Sequence, residues 1–168
     1  MRNIVLIGMP GCGKSTVGVV LAKNLALDFI DSDLLIQREE GMRLSEIIER
    51  HGDDGFRRIE NRVNSGIEAR NSVIATGGSV IYGEEAMAHL KRIGTVIYLK
   101  LSYEQIEERL GNLHARGVSI REGQTLRDLY DERCPLYERW ADMVVVCDGK
   151  RLREVVLYIT GKLQEAGA

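Results

Sequence analysis

A glycine-rich segment near the amino terminus carries the clearest chemical pattern in the chain. Residues 8–16 read GMPGCGKST and match the pattern G-x-x-x-x-G-K-[ST] in full. Such a loop turns its backbone N–H groups toward phosphate oxygens, and the helix that follows adds partial positive charge at its amino terminus. Lys14 would then reach the β- and γ-phosphates, and the Ser15 hydroxyl would bind Mg²⁺. The pattern predicts a binding loop for a nucleoside triphosphate rather than a plain glycine-rich turn.

Two carboxylates, Asp31 and Asp33, follow the short apolar stretch Phe29–Ile30. Side chains two residues apart on a strand point to the same face, so both carboxylates would face one ligand if the strand continued. One could help to hold Mg²⁺ while the other accepts a proton from a substrate hydroxyl. The alternative is that Asp33 only caps the helix that follows.

Two arginines are candidates for binding an anionic group. Arg57 and Glu60 are three residues apart in a predicted helix and could hold each other in place, which would present a planar guanidinium to a carboxylate or phosphate. A solvated ion pair explains the same spacing. Arg133 comes two residues before Pro135, and this proline is expected to kink or end its helix and so to fix the direction of Arg133.

Two further segments could contact a ligand through glycines or arginines. Thr76–Ser79 reads TGGS, and its paired glycines would let a ligand lie against the backbone, although a tight turn explains them as well. Arg109, Arg116 and Arg121 lie in or beside the segment 111–123, which is polar and has little periodicity. This segment could be a mobile lid that brings cations to a triphosphate, or a solvated loop.

The elements that must position these residues follow from the hydrophobic pattern. Short apolar runs rich in Val and Ile alternate with longer segments of helical period, which predicts parallel strands joined by helices. We expect one α/β domain with three layers, a doubly wound parallel sheet, and ligands at the carboxyl ends of its strands. The predicted strands are Ile4–Ile7, Phe29–Ile30, Val73–Ala75, Val96–Leu99 and Met143–Val146.

Composition limits the class of protein and its partners. The chain has 168 residues, with 23 Lys and Arg against 25 Asp and Glu, a balance that argues against nonspecific binding to nucleic acid or to an anionic membrane. No apolar run approaches the roughly 18 residues of a membrane span. The three cysteines form no C-x-x-C pair, so we expect no disulfide framework and a cytoplasmic location. The Asn-Lys-x-Asp of a GTPase is absent, which favours a small-metabolite kinase.

In their order along the chain, these motifs resemble those of the shikimate kinase family. The resemblance implies a P-loop kinase fold with a five-stranded sheet in the order 2-3-1-4-5, and transfer of the ATP γ-phosphoryl group to the 3-hydroxyl of shikimate, a step of aromatic amino acid biosynthesis. It also implies one domain over 1–168, with a substrate-binding helical region at about 34–62 and a mobile lid at about 111–123. The matched segments are 8–16 (GMPGCGKST), 31–33 (DSD), 56–60 (FRRIE), 77–79 (GGS), Arg109 and Arg116, and 133–137 (RCPLY).

The resemblance further implies a role for each matched residue. Asp33, Lys14 and Arg116 would be catalytic, with Asp33 deprotonating the acceptor hydroxyl. The Mg²⁺ ion would be held by Ser15 and Asp31. The residues implied for ATP are Gly11, Cys12, Gly13, Lys14, Ser15, Thr16, Arg109 and Arg116. Those implied for the acceptor are Asp33, Arg57, Gly77, Gly78, Ser79 and Arg133, with the two arginines on its carboxylate.

Two positions depart from the usual pattern of the family. Ser79 stands where a third glycine is usual and adds a hydroxyl at the edge of the acceptor pocket, and Gly117 stands where a proline usually follows the lid arginine. Two alternatives therefore stay open, namely a kinase for another small hydroxy acid such as gluconate and a non-catalytic module that senses a nucleotide. The expected partners are ATP and a small carboxylate-bearing hydroxy compound, without nucleic acid or membrane, and we expect a monomer.

Overall fold

Five strands form one parallel sheet, and all five lie where the sequence pattern predicts them. The structure is a computed structural model that describes residues 2–110, 118 and 121–167. The order across the sheet is β2-β3-β1-β4-β5, which confirms the order implied by the family resemblance. The strands are β1 (Asn3–Ile7), β2 (Asp28–Asp31), β3 (Ser72–Ala75), β4 (Gly94–Lys100) and β5 (Met143–Val146).

The central strand β1 and its neighbour β3 are buried along their whole length, and β4 is buried along most of it. In the register, Ile4 of β1 lies beside Val73 of β3 and Thr95 of β4. Branched aliphatic side chains suit a parallel sheet that is covered on both faces. Since all the strands run in the same direction, the segments that follow them meet at one edge of the sheet.

Helices connect the strands, and within the described residues they number seven. The helix α1 packs against α7, and α3 packs against α4. None of the helices in the described ranges is long and apolar enough to cross a membrane. Their bounds are α1 (Lys14–Leu25), α2 (Ser32–Glu40), α3 (Leu44–Ser65), α4 (Glu84–Ile93), α5 (Tyr103–Arg109), α6 (Leu126–Trp140) and α7 (Leu152–Glu165), and a 3₁₀ turn spans Val80–Tyr82.

Two features of the helices differ from what the sequence suggests. Strand geometry does not persist through the DSD segment, because α2 begins at Ser32, directly after β2. Of the two effects expected of Pro135, a kink or an end to the helix, the end is not found, since α6 continues to Trp140. A proline in a helix removes one N–H group, and the carbonyl that loses its partner here belongs to the exposed Asp131, where water can replace the missing bond.

The long helix α3 changes direction at Gly52, whose φ of 72° and ψ of 174° lie outside the helical region. A glycine adopts this backbone conformation without the steric cost that a side chain would bring. A small buried cluster then joins α3 to α2 through Ile36, Ile47, Phe56 and Val63. The break and this cluster fix the carboxyl-terminal part of α3, which carries the residues of the FRRIE segment.

Candidate active site

A cavity of about 390 Å³ opens at the carboxyl edge of the sheet. The phosphate-binding loop forms one side of it, and the segments after β2 and β3, together with α3 and α6, form the other. The fold thus brings the predicted nucleotide side and the predicted acceptor side to one space. The predicted site residues on its wall are Gly11, Gly13, Lys14, Ser15, Thr16, Asp33, Gly77, Gly78, Ser79 and Arg133.

The phosphate-binding loop curls around the end of the Lys14 side chain. Gly13 caps α1 with a φ of 98°, in the left-handed region where glycine is the favoured residue. The buried ammonium of Lys14 donates hydrogen bonds to the carbonyl oxygens of Gly8 at 2.7 Å and Met9 at 2.9 Å. A cation and the amino terminus of α1 therefore lie together at this end of the cavity, as binding of a phosphate requires.

Asp31, at the end of β2, uses its two carboxylate oxygens for different contacts. Its Oδ1 accepts hydrogen bonds from the backbone N–H groups of Asp33 at 2.9 Å and Leu34 at 3.4 Å, so Asp31 is the residue that caps α2. Its Oδ2 accepts a hydrogen bond from the Ser15 hydroxyl at 3.1 Å. The capping role considered for Asp33 therefore belongs to Asp31, which leaves the Asp33 carboxylate available to a ligand.

The Asp33 carboxylate lies on the cavity wall and has an unusual acidity. The pKa of Asp33 is raised to about 6, chiefly by burial and also by the nearby charge of Asp31, while Lys14 acts in the opposite direction. Its buried Oδ1 has no hydrogen-bond partner among the described residues. A charged oxygen without a protein partner on a cavity wall is suited to accept a proton from a bound hydroxyl.

A second buried carboxyl group, Glu60, lies next to Asp33. The Ser79 hydroxyl donates a 2.5 Å hydrogen bond to Glu60 Oε1, so the serine that departs from the family pattern has a defined partner. The pKa of Glu60 is raised to about 7 in total: burial is the main cause, the hydrogen bond from Ser79 opposes it, Asp33 adds to it, and Arg133 and Arg57 oppose it. No ion pair between Glu60 and Arg57 is formed in the described part of the chain, so neither form of the predicted pairing is found.

Two arginine side chains lie against one tyrosine ring at the far end of the cavity. The guanidinium carbon of Arg57 is 3.9 Å from the centroid of the Tyr82 ring, and that of Arg133 is 5.5 Å from it. Arg133 is only 1% exposed and is on the cavity wall, whereas Arg57 lies outside the lining set. The Nε and Nη2 atoms of Arg57 are buried, and no described residue accepts a hydrogen bond from them.

The backbone at Gly77 and Gly78 comes so close to its neighbours that it leaves no room for a side chain at either position. A Cβ atom on Gly77 would lie 2.7 Å from Asp33 Oδ1 and 2.8 Å from Glu60 Oε2. A Cβ atom on Gly78 would lie 2.7 Å from the Pro10 side chain. The two glycines are therefore required by close packing around the cavity, as well as by any ligand that lies on their backbone.

Two further predicted residues, Cys12 and Arg109, lie near the cavity but are not among the residues that line it. Cys12 is buried beneath the loop, with its Sγ 3.7 Å from Lys14 Nζ. Arg109 is exposed and donates a 3.4 Å hydrogen bond to the carbonyl oxygen of Gly11, beside the phosphate-binding loop. Arg116 and most of the predicted lid, residues 111–117 and 119–120, lie outside the described residues.

Comparison with known proteins decides the family. The model of the shikimate kinase family matches residues 10–164. A shikimate kinase of Francisella tularensis subsp. holarctica is 40% identical over 98% of this chain and 96% of its own length. The chain belongs to the shikimate kinase family. A second relative, a shikimate kinase of Thermodesulfovibrio yellowstonii, is 39% identical over 92% of this chain and 91% of its own length.

Solved structures of the shikimate kinase family have the same fold. The shikimate kinase from Acinetobacter baumannii in complex with shikimate gives a TM-score of 0.84 at 31% identity, over 99% of this chain and 94% of that one. The enzyme from Aquifex aeolicus gives 0.83 at 34% identity, over 98% of both chains. The resemblance seen in the motifs is thus confirmed, and membership of the shikimate kinase family makes the chain an ATP-dependent kinase.

Sequence reasoning missed two residues of the site of this shikimate kinase family member. Glu60 was considered only as a partner for Arg57, yet it is four residues after the buried Phe56 and three before the buried Val63. This spacing places it on the buried face of α3 and could have revealed it. No local sequence pattern marks Tyr82 as a site residue, because its part in the site depends on its contacts with α3 and α6.

Proposed function

We propose that this chain transfers the γ-phosphoryl group of ATP to the 3-hydroxyl of shikimate, with the cavity residues in the roles that their motifs imply. The observation that carries the proposal is that the phosphate-binding loop, the Asp33 carboxylate and Arg133 all line one cavity. A reaction between a nucleotide and a carboxylate-bearing alcohol needs these groups in one space, because the hydroxyl must face both its base and the γ-phosphate.

Asp33 would act as the base. The acceptor hydroxyl gives its proton to the carboxylate while its oxygen bonds to the γ-phosphorus, and the bond from that phosphorus to the oxygen bridging to the β-phosphate breaks, which releases ADP. With a pKa of about 6, Asp33 is largely charged at neutral pH and is a stronger base than an ordinary aspartate. Its position on the wall, without a competing donor on Oδ1, supports this role.

Lys14 and the amino terminus of α1 would stabilise the charge on the phosphate oxygens. Lys14 would exchange its bonds to the Gly8 and Met9 carbonyls for bonds to the β- and γ-phosphates. Ser15 and Asp31 fit Mg²⁺, since their oxygen atoms lie 3.1 Å apart beside the loop and are hard ligands. A bound Mg²⁺ would neutralise part of the triphosphate charge.

The acceptor carboxylate would be held by Arg133 on the wall and by Arg57 next to it. Nε and Nη2 are neighbouring donors on one edge of a guanidinium, which is the edge that forms two parallel hydrogen bonds with a carboxylate. On Arg57, both of these donors are buried and receive no acceptor from the described residues. A buried donor pair of this kind is costly unless a ligand supplies the acceptor.

The remaining assignments are carried over from the family motifs as part of this proposal. Arg116 would add positive charge at the phosphates and Arg109 would lie near the adenine. The chain would form a single domain over residues 1–168, in which residues 34–62 surround the acceptor and residues 111–123 form a mobile lid. We further propose that the chain is a monomer and that it acts in the cytoplasm. The free state of Cys12, Cys134 and Cys147 supports the proposed location, because thiols stay reduced there.

The experiment is an assay of ADP release with Mg²⁺ and ATP against a panel of shikimate, gluconate and no acceptor. We expect stimulation by shikimate alone. The Asp33→Asn variant should lose about 10²-fold or more of kcat while ATP binding, measured by calorimetry, stays within twofold. Stimulation by gluconate and not by shikimate would show that the chain is a kinase for another hydroxy acid. If neither compound stimulates ADP release, the proposed function is wrong and a nucleotide-sensing module is the remaining alternative.

A further inference from the structure

Tyr82 lies between the two arginines of the acceptor site and a carboxylate outside it. One face of its ring carries the Arg57 guanidinium, with a distance of 3.9 Å from the guanidinium carbon to the ring centroid. Arg133 lies farther from the same ring, at 5.5 Å. The Tyr82 hydroxyl donates a 3.0 Å hydrogen bond to Glu132 Oε2. The residue therefore contacts both groups that the proposed function assigns to the acceptor carboxylate.

The stack orients Arg57 without using any of its hydrogen-bond donors. A guanidinium over an aromatic ring is attracted through its face, while its N–H groups point outward in the plane. This agrees with the unengaged Nε and Nη2 atoms of Arg57. An acidic partner on Arg57 would hold the side chain equally well but would occupy the edge that a carboxylate needs.

The ring itself is held by a hydrogen-bond network centred on Glu132 of α6. Glu132 Oε2 accepts both the Tyr82 hydroxyl and, at 2.9 Å, the side-chain amide of Gln124. The pKa of Glu132 is lowered, chiefly by the hydrogen bond from Gln124 and also by the one from Tyr82, while burial has the opposite effect. The carboxyl group that accepts the Tyr82 hydrogen bond is therefore charged at neutral pH. Glu132 precedes Arg133 directly, and the same turn of α6 thus supplies one arginine and the anchor for the ring beside the other.

We propose that Tyr82 is a positioning residue for the acceptor carboxylate: its ring fixes the guanidinium of Arg57, and its bond to Glu132 fixes the ring. This inference rests on the proposed function, because it takes the carboxylate of the acceptor as the ligand of Arg57. It assigns to Tyr82 an effect on the charged end of the acceptor and none on the nucleotide.

The test compares shikimate with methyl shikimate, which has the same hydroxyls but no free carboxylate. In Tyr82→Leu, the KM for shikimate should rise about tenfold, as expected for loss of a partly desolvated cation–π contact, while the KM for ATP stays within twofold. The preference for shikimate over methyl shikimate, as the ratio of kcat/KM values, should fall by a similar factor. Tyr82→Phe keeps the ring and should retain most of this preference.

Tyr103 provides the matched control. Its hydroxyl donates a 2.7 Å hydrogen bond to Glu107, and its ring carries the Arg127 guanidinium at 4.7 Å, but no described contact joins it to the cavity. Tyr103→Leu removes the same kinds of interaction from the surface of the molecule. It should leave the preference for shikimate over methyl shikimate unchanged.

The possible outcomes separate this inference from the proposed function. If Tyr82→Leu weakens the two acceptors by the same factor, Tyr82 is only a packing residue and the inference is wrong, even though the wild type phosphorylates shikimate. If the wild type does not phosphorylate shikimate, the proposed function itself fails. Should Tyr82→Leu not fold, Tyr82→Met, which fills more of the space without a ring, gives the same comparison.

Discussion

At the scale of single residues, the site depends on how closely its groups approach one another. Asp33 and Glu60 approach the backbone of Gly77 from two elements, and both acids are kept away from bulk water. Their raised pKa values follow from that proximity and burial, which disfavour the charged forms. A glycine between them lets two acids from different elements share a small volume.

Gly77→Ala should disrupt this arrangement, since the added methyl group would lie within 2.8 Å of both carboxylates. We expect a loss of about tenfold or more in kcat/KM for the acceptor, because a small displacement of Asp33, the proposed base, would have a large effect on transfer. Gly161→Ala is the matched control, because its Cβ would meet nothing within 4 Å on α7. The kcat/KM values of both variants are measured by steady-state kinetics. Equal values for Gly77→Ala and Gly161→Ala would contradict the close approach at Gly77.

At the scale of the elements, the junction between β2 and α2 combines a structural and a chemical task. Asp31 caps α2 with one oxygen and accepts from the Ser15 hydroxyl with the other. The cap satisfies two N–H groups in the first turn of α2, which also contains Asp33. The position of Asp33, the proposed base, is therefore tied to the residue that the proposal gives to Mg²⁺.

Two substitutions at Asp31 separate these tasks. Asn is a good capping residue without a charge, so Asp31→Asn should change the midpoint of thermal unfolding little but raise the Mg²⁺ concentration needed for half-maximal activity. Asp31→Ala should raise the Mg²⁺ requirement and also lower the midpoint of thermal unfolding, since loss of the cap costs about 1 kcal/mol of stability. Thermal unfolding and Mg²⁺ titration measure the two effects. A normal Mg²⁺ requirement in Asp31→Asn would remove Asp31 from the metal site.

At the scale of the whole molecule, the buried acids of the site reduce the stability of the fold at neutral pH. Burial raises the pKa of Glu60 from 4.5 to about 7. Between these values the unfolded chain has released the proton and the folded chain still holds it. The free energy of unfolding contributed by this group therefore falls as pH rises through this window, and the loss is complete above a pH of about 7.

Glu60→Gln removes the titrating group but keeps an oxygen for the Ser79 hydroxyl. Relative to the wild type, the variant should gain free energy of unfolding as the pH rises from 5.5 to 8. Urea unfolding at the two pH values measures the difference. Glu85→Gln is the control, because the pKa of this exposed group is lowered and its removal should bring no such gain. A difference for Glu60→Gln that does not change with pH would contradict the raised pKa.

The sequence by itself determined the fold class and most of the cavity wall. The apolar runs predicted the five strands because buried parallel strands need a continuous run of branched residues. The phosphate-binding loop and the Asp33 and GGS segments followed from local patterns, since the residues after parallel strands share one edge of the sheet. Arg133 lies within α6, and its place beside the acceptor was implied by the family resemblance. The strand order and the individual roles came from the family resemblance and not from periodicity.

Only the tertiary structure decided which groups meet. The capping of α2 by Asp31, the bond from Ser79 to Glu60 and the stack of Arg57 on Tyr82 all join residues whose distances depend on packing. Glu60 and Tyr82 are separated from their partners by other elements, and a local pattern carries no information on such contacts. The acidity of the site likewise depends on burial, which exists only once the chain has folded.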